Sequence, residues 1–437
     1  MDIKKAHFIG IGGVGMAATA KLLRDSGAVV TGSDEEVYPP ISDFLEAEGL
    51  AYTTPYSAAN IPSDADLIVI GKNAKLVAET NEEVRAAQMS GVRILSFPEV
   101  LGELSQQRQS VVVVGSYGKS TSTALMAHIL EESGLDPSYF IGAIPYTPST
   151  NARMGAGNIF VLEGDEYPAS NTDPRSKFLL MHPAHALVTP LAHDHFNVFP
   201  TPESYLAPFT KLVELLPQDG TLVVSVAGSL SKQFIASISR PVITYGVHEG
   251  DFRAADVAWG ETTTFSLMQG TSKIAELETS LLGEHNVENI VGVAAFLLAR
   301  RLVTPEQIVR AVATFKGIRR RLDKKSDHTS IPVYEGFGSS YDKLKSAIAA
   351  MKLHFPRRRL VVVFEPNTIA WRSRATLAQY DDAFRGANKV VVFNPPHDGK
   401  ETQLSLEDIV ARIQGAGIET VGVDSAATAL SVLESDL

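Results

Sequence analysis

The sequence predicts an α/β fold of three domains, a Rossmann-like N-terminal domain, a central domain with a mostly parallel sheet, and a C-terminal Rossmann-like α/β domain. Three observations predict it. Short apolar runs alternate with helix-like segments, which is the βαβ rhythm of a doubly wound sheet. Two glycine-rich turns, beginning at Gly10 and Gly115, each stand between an apolar run and a helical pattern. At 437 residues the chain also exceeds what one hydrophobic core usually holds.

The first domain is expected over residues 1–108. It opens on a strand at His7-Phe8-Ile9, followed by a helix over residues 17–24 and strands at 28–31 and 66–70. The polar stretch Ser105-Gln106-Gln107-Arg108-Gln109 marks a boundary, because Ser110-Val111-Val112-Val113-Val114 after it suits a strand buried on both faces. The second domain, residues 109–317, carries strand candidates at 159–162, 186–189 and 220–224. Thr-rich alternation from about 242 to 281 predicts a small antiparallel sheet, and a helix is expected over 287–302. In the third domain, residues 318–437, strands at 333–334, 360–364, 390–393 and 420–423 are separated by helical segments such as 341–353.

Composition narrows the function classes. A net charge of −11 argues against a general nucleic-acid partner, so anionic ligands must be met by local basic sites. The absence of cysteine excludes a thiol nucleophile and a thiolate metal site. No apolar run reaches ~18 residues and no signal-peptide core follows Met1, which predicts a cytoplasmic chain without a membrane partner. A monomer or homodimer is expected.

Gly10-Ile11-Gly12-Gly13-Val14-Gly15-Met16 is a G-x-G-x-x-G turn after a strand and before a helix, with Asp34 at the end of the next strand. Such glycines let the backbone approach a pyrophosphate, and an acid at this distance commonly meets a ribose. Alone, the motif favours a nicotinamide-dependent oxidoreductase, with a purely structural turn as the alternative. The second turn, Gly115-Ser116-Tyr117-Gly118-Lys119-Ser120-Thr121, is a short P-loop that makes the central domain P-loop ATPase-like. Its N–H groups would cradle the phosphates of ATP, Lys119 would neutralise their charge, and Ser120 would ligate Mg²⁺. Glu163, in Glu163-Gly164-Asp165-Glu166, and His195, in His193-Asp194-His195, end strands of the same block and are candidate Mg²⁺ ligands, against a reading as solvated surface groups. Asn286 either caps the following helix or reads an adenine edge. Arg319-Arg320-Arg321 is either a solvated loop or a site for phosphate charge.

Taken together, the order of these motifs resembles the Mur ligase family, from His7 to the end of the chain. That resemblance implies an ATP- and Mg²⁺-dependent amide ligase of cell-wall synthesis or recycling. Its partners would be a UDP-linked sugar acid and an amino acid or peptide. It implies that Lys119, His195 and Arg321 are catalytic. Gly115, Ser116, Gly118, Lys119, Ser120, Thr121, His285, Asn286, Asn289, Arg320 and Arg321 would hold ATP, and Ser120, Glu163 and His195 the metal. It places the UDP-sugar, in place of a nicotinamide, on Gly10, Gly12, Gly13, Gly15, Met16, Ser33, Asp34, Asn73, Arg175 and Lys177. Within the family, Val37 to Ser42, Arg175-Ser176-Lys177-Phe178 and Phe364-Glu365-Pro366 are similar to the branch that joins the tripeptide L-Ala-γ-D-Glu-meso-diaminopimelate to UDP-N-acetylmuramate, and the branch that joins L-alanine is the alternative. Four places depart from the family. Pro190 stands where an Asn is usual, Gly336, Ser339 and Ser340 replace an acid and two His, Asn367 replaces an Arg, and no Gly-rich segment precedes Leu437. These departures leave open a redirected acceptor or a catalytically silent nucleotide-binding protein.

Overall fold

The computed structural model describes residues 3–195, 198–326, 330–396 and 403–434, so the chain end at Leu437 falls outside the described residues. Strands β1 (Lys5–Ile9), β2 (Val29–Ser33), β3 (Ala51–Thr53), β4 (Leu67–Ile70) and β5 (Arg93–Leu95) form a sheet in the order β3-β2-β1-β4-β5. Each adjacent pair runs parallel. The chain therefore reverses its direction of winding between β1 and β4, and a doubly wound sheet opens a ligand crevice at the carboxyl ends of the strands on either side of such a reversal. The Gly10 turn follows β1 at that place, and residues 71–73 follow β4.

Ten strands make the second sheet: β6 (Gln109–Val114), β7 (Ser138–Phe140), β8 (Ala152–Arg153), β9 (Ile159–Glu163), β10 (His185–Val188), β11 (Leu222–Ser225), β12 (Ile243–Gly246), β13 (Phe252–Ala258), β14 (Thr263–Gln269) and β15 (Ser272–Thr279). β6 lies between β10 and β9, parallel to both. Its Val111 to Val114 are at most 1 % exposed, and each buried valine contributes about 1.5–3 kcal/mol. The Thr-rich segment does not form the separate antiparallel sheet its alternation predicts. β12 to β15 extend this same sheet, and β12 runs parallel to both β11 and β13. The physical reason is that β11 would otherwise expose an unpaired edge.

Ala18, Leu22 and Leu101, from the segment before β6, pack into the core of the ten-stranded sheet beside Val112, Phe140 and Leu162. Both sheets accordingly fall within one compact unit, Met1–Val257 with Thr264–Thr279 and Asn286–Ile318. A second unit comprises Ala258–Thr263, Ser280–His285 and Arg319–Leu437. It carries the antiparallel pair β16 (Arg321–Lys324) and β17 (Tyr334–Gly336) and a parallel sheet of β18 (Val361–Phe364), β19 (Lys389–Phe393) and β20 (Glu419–Val423). Phe364, Trp371, Tyr380 and Phe384 form its aromatic core.

The two short segments of this second unit are pinned by the last residue of the Tyr341–His354 helix. His354 is buried, accepts the Gly283 N–H at Nε2 (2.8 Å) and donates from Nδ1 to the Gly260 carbonyl (2.6 Å). Those two bonds select the neutral tautomer with the proton on Nδ1. Trp259 packs edge-on against the same ring.

Candidate functional site

The P-loop begins where β6 ends, and the Lys119–Glu132 helix begins where it stops. Gly118 holds the junction with φ +88°, and a Cβ there would stand 2.4 Å from the Asn289 Oδ1, so only glycine fits. Asn289 also accepts from the Ser122 hydroxyl (3.3 Å) and donates to Asn286 Oδ1 (3.2 Å). Both amides are buried, which makes them braces beneath the loop. Ser116 is likewise spent on the loop itself: its N–H donates to the Pro190 carbonyl (2.9 Å) and its hydroxyl to that of Ala192 (2.7 Å). Ser116 thus ties the loop to the segment after β10. Pro190, which cannot offer the usual amide side chain, still supplies this carbonyl. Thr121 is buried at the start of the helix.

Lys119 and Ser120 face the carboxylates at and beyond the end of β9. Ser120 donates to Glu163 Oε1 (2.7 Å), and Glu163 Oε2 accepts the Gly142 N–H (2.6 Å). Lys119 donates to Glu166 Oε2 (2.9 Å), and the other oxygen of Glu166 meets His195 Nε2 at 2.8 Å. His195 also packs edge-on against Tyr167. Glu166 is 1 % exposed, and a role for it was missed by sequence reasoning, which weighted Glu163 because Glu163 ends the strand. The spacing of the two acids offered the only signal: Glu166 lies in the loop three residues later. Desolvation pushes the Glu163 carboxyl above the usual carboxylate range. Burial alone would depress Lys119, but Glu166, Asp165 and Glu163 outweigh it and hold the ammonium above its ordinary value. Asp165 is also desolvated, yet its pairing with Lys177 holds it below the usual range.

A hydroxyl, two carboxylates and an imidazole thus stand beside a phosphate-binding loop. Of these, Ser120 and Glu163 offer oxygens suited to Mg²⁺, a hard cation that shares its oxygen ligands with substrate phosphates, although no cluster of three or more ligating side chains is assembled among the described residues. Glu163, held by only a hydroxyl and one N–H among the described residues, is the carboxylate such a cation would relieve.

At the first glycine turn, Gly12 donates its N–H to Asp34 Oδ2 (2.8 Å), and a Cβ on Gly12 would meet that same oxygen. Asp34 Oδ1 accepts from Tyr56 (2.8 Å), so the acid closes the turn in this structure. Tyr56 is driven above its ordinary value by burial and by Asp34. Ser33 is not at the surface of the crevice. It is fully buried and donates to Glu83 (2.6 Å), which also pairs with His7 (2.8 Å). Arg175 is exposed and pairs with Asp173 (2.7 Å), and Asn73 caps the Lys75 N–H. Lys177 does reach the crevice.

One cleft of about 550 Å³ brings the two halves together. It is lined by residues 13–16 of the first turn, by Lys119 and Glu163 of the second, and by Lys72, Asp165, Tyr167 and Lys177 between them. In the second unit, His285 is pushed down to about 4 by burial, then by Arg321 and His354. Arg320 pairs with Glu335 (3.1 Å), and the guanidinium groups of Arg320 and Arg321 stand about 5 Å from the Phe337 ring.

The model of the Mur ligase family catalytic domain matches residues 5–109, and that of the Mur ligase middle domain matches residues 113–297. The UDP-N-acetylmuramate--L-alanine ligase of Lachnospira eligens is 30% identical over 428 residues, 96% of this chain and 90% of that protein. That of Halorhodospira halophila is 33% identical over 401 residues, 89% and 79%. Among solved structures, the UDP-N-acetylmuramate-alanine ligase of Thermotoga maritima shares the fold with a TM-score of 0.77 at 23% identity, covering 97% of this chain and 91% of its own. The UDP-N-acetylmuramate:L-alanyl-γ-D-glutamyl-meso-diaminopimelate ligase of Neisseria meningitides aligns with a TM-score of 0.66 at 29% identity, over 73% of this chain and all of its own. With a P-loop, a carboxylate–imidazole cluster and a glycine turn opening on one cleft, and relatives similar along nearly its whole length, this chain belongs to the Mur ligase family of ATP-dependent ligases.

Proposed function

We propose that the chain joins an amine, L-alanine in the first instance, to the carboxylate of UDP-N-acetylmuramate at the expense of ATP. The observation that carries this reading is the single cleft shared by the Gly10 turn and Lys119, which allows an acid held by the first to meet a γ-phosphate held by the second. The sugar-acid carboxylate attacks the γ-phosphorus and ADP leaves, giving an acyl phosphate. The amine then adds to the acyl carbon, phosphate departs, and the nitrogen loses its proton. The P-loop amides and Lys119 orient and neutralise the transferring phosphoryl group. Glu166 fixes Lys119 and His195 in register. Held by Ser120, Glu163 and His195, Mg²⁺ would supply further neutralisation of the phosphates. We assign the UDP-sugar to residues 1–108, ATP to 109–317 and the amine to 318–437.

L-Alanine is favoured over the tripeptide because the relatives similar over most of the chain carry that activity in their names. The tripeptide remains a second reading, supported by the 29% identical structure of that specificity. Phosphate release measured with UDP-N-acetylmuramate and ATP against L-alanine and the tripeptide separates them. Release with L-alanine is the expected outcome. Release with the tripeptide alone would transfer the assignment, and no release with any amine would remove it.

A further inference from the structure

The chain leaves the ten-stranded sheet twice for the second unit and returns. Residues 258–263 do so at the turn from β13 to β14, and residues 280–285 between β15 and the body of the Glu284–Ala299 helix. Both excursions are held by His354, one through the Gly260 carbonyl and the other through the Gly283 N–H. Gly283 is also closely packed. Its φ is +94°, and a Cβ there would stand 2.8 Å from the Ala350 Cβ of the Tyr341–His354 helix and 2.7 Å from the His285 ring, so only glycine lets that helix approach.

His354 does not line the cleft and takes no part in the chemistry at Lys119. Its partner Gly283, however, stands immediately before the Glu284–Ala299 helix, whose first two turns carry Asn286 and Asn289. Asn289 Oδ1 fills the space in which a Cβ of Gly118 would lie and accepts the Ser122 hydroxyl, while Asn286 holds the Asn289 amide. A helix is stiff along its axis, so fixing the residue at its start fixes the place where Asn289 meets the P-loop. Close packing leaves little slack between the two, and a displacement of the helix is passed to Gly118.

We propose that His354 is a positioning residue for ATP: it sets the helix on which Asn286 and Asn289 brace the P-loop, and through that helix the affinity of the loop for the nucleotide. This inference rests on the proposed function for the identity of the nucleotide, but its test does not require turnover. Calorimetry on the full chain with Mg²⁺ and a non-hydrolysable ATP analogue compares the wild type with His354→Ala, His354→Gln, Asn289→Ala and the double variant of His354→Ala with Asn289→Ala. Tyr380→Phe is the control, because it removes another buried hydrogen bond of the second unit, from the Tyr380 hydroxyl to the Trp371 carbonyl (2.7 Å). His354→Ala is expected to weaken the analogue about fivefold, the worth of about one hydrogen bond. His354→Gln, whose amide also donates and accepts, should restore most of the affinity, and Tyr380→Phe should match the wild type. In the Asn289→Ala background, loss of His354 should weaken binding no further, because both act through one helix. In assays of turnover, KM for ATP should rise about fivefold in His354→Ala while KM for the sugar acid stays unchanged. Equal affinity of wild type and His354→Ala would overturn the proposal, as would an equal loss in His354→Gln or Tyr380→Phe, additive losses in the double variant, or a wild type that does not bind the analogue. The expected pattern of binding without phosphate release with any amine would instead overturn the ligase reading and leave the histidine assignment standing.

Discussion

Glu163 and Glu166 show how two acids three residues apart acquire different tasks. Glu163 meets a hydroxyl and an N–H, whereas Glu166 meets a cation on one oxygen and an imidazole on the other. Replacing Glu166 by Gln removes the charge that fixes Lys119. We expect phosphate release by Glu166→Gln to fall roughly 100-fold or more, as when another preorganised charge contact is lost. Glu163→Gln should instead raise the Mg²⁺ concentration needed for half-maximal release, because its partners are neutral. A metal titration of both variants checks this, and identical metal dependence in the two would contradict the division. The P-loop was legible at this scale because Gly118, Lys119 and Ser120 are adjacent in sequence. Glu166 was not, since its importance lies in a partner forty-seven residues away.

At the scale of elements, strands such as β1, β6, β9, β10 and β19 followed from their apolar runs, since β-branched residues buried on both faces leave few alternatives, whereas the short strands β3, β5, β7, β8 and β16 were not foreseen. What local pattern could not show is which edge a strand joins, hence the misplaced antiparallel sheet at β12 to β15. Nor could it show that residues 258–263 and 280–285 belong with the C-terminal unit, because one imidazole placed by a helix end makes the connection. His354→Ala leaves the Gly283 N–H and the Gly260 carbonyl without that partner, at a cost of about 1–3 kcal/mol. Hydrogen exchange at the Gly283 amide should accelerate roughly tenfold or more, with the amides of β6 unchanged and partial restoration by His354→Gln. Unaltered exchange at Gly283 would show that other contacts hold the segment.

For the whole molecule, two desolvated histidines tie folding to acidity. His185, in the first unit, accepts the Thr221 N–H and meets Gln109, and burial followed by Arg300 pushes it down to about 4. His285, in the second, is pushed to about the same value. Unfolded, each would take its proton near pH 6.5. Between pH 6.5 and 4 the unfolded chain therefore binds more protons, so stability is complete above 6.5 and declines as pH falls toward 4. Each group contributes at most about 3 kcal/mol. Thermal unfolding from pH 7.5 to 4.5 should show a falling Tm, with a shallower fall in His185→Gln, and a flat profile would contradict the burial argument.

The distribution of indoles has a practical consequence. The chain has two tryptophans, and both Trp259 and Trp371 belong to the second unit. Trp371 is locked in an aromatic core with its N–H on the Gly338 carbonyl, while Trp259 rests against the His354 ring. Emission excited selectively in the indoles is thus silent about the unit that carries the P-loop. It consists of one steady reference and one signal that reports the packing of Trp259 on the His354 ring, so this chain carries an intrinsic optical probe confined to its C-terminal unit.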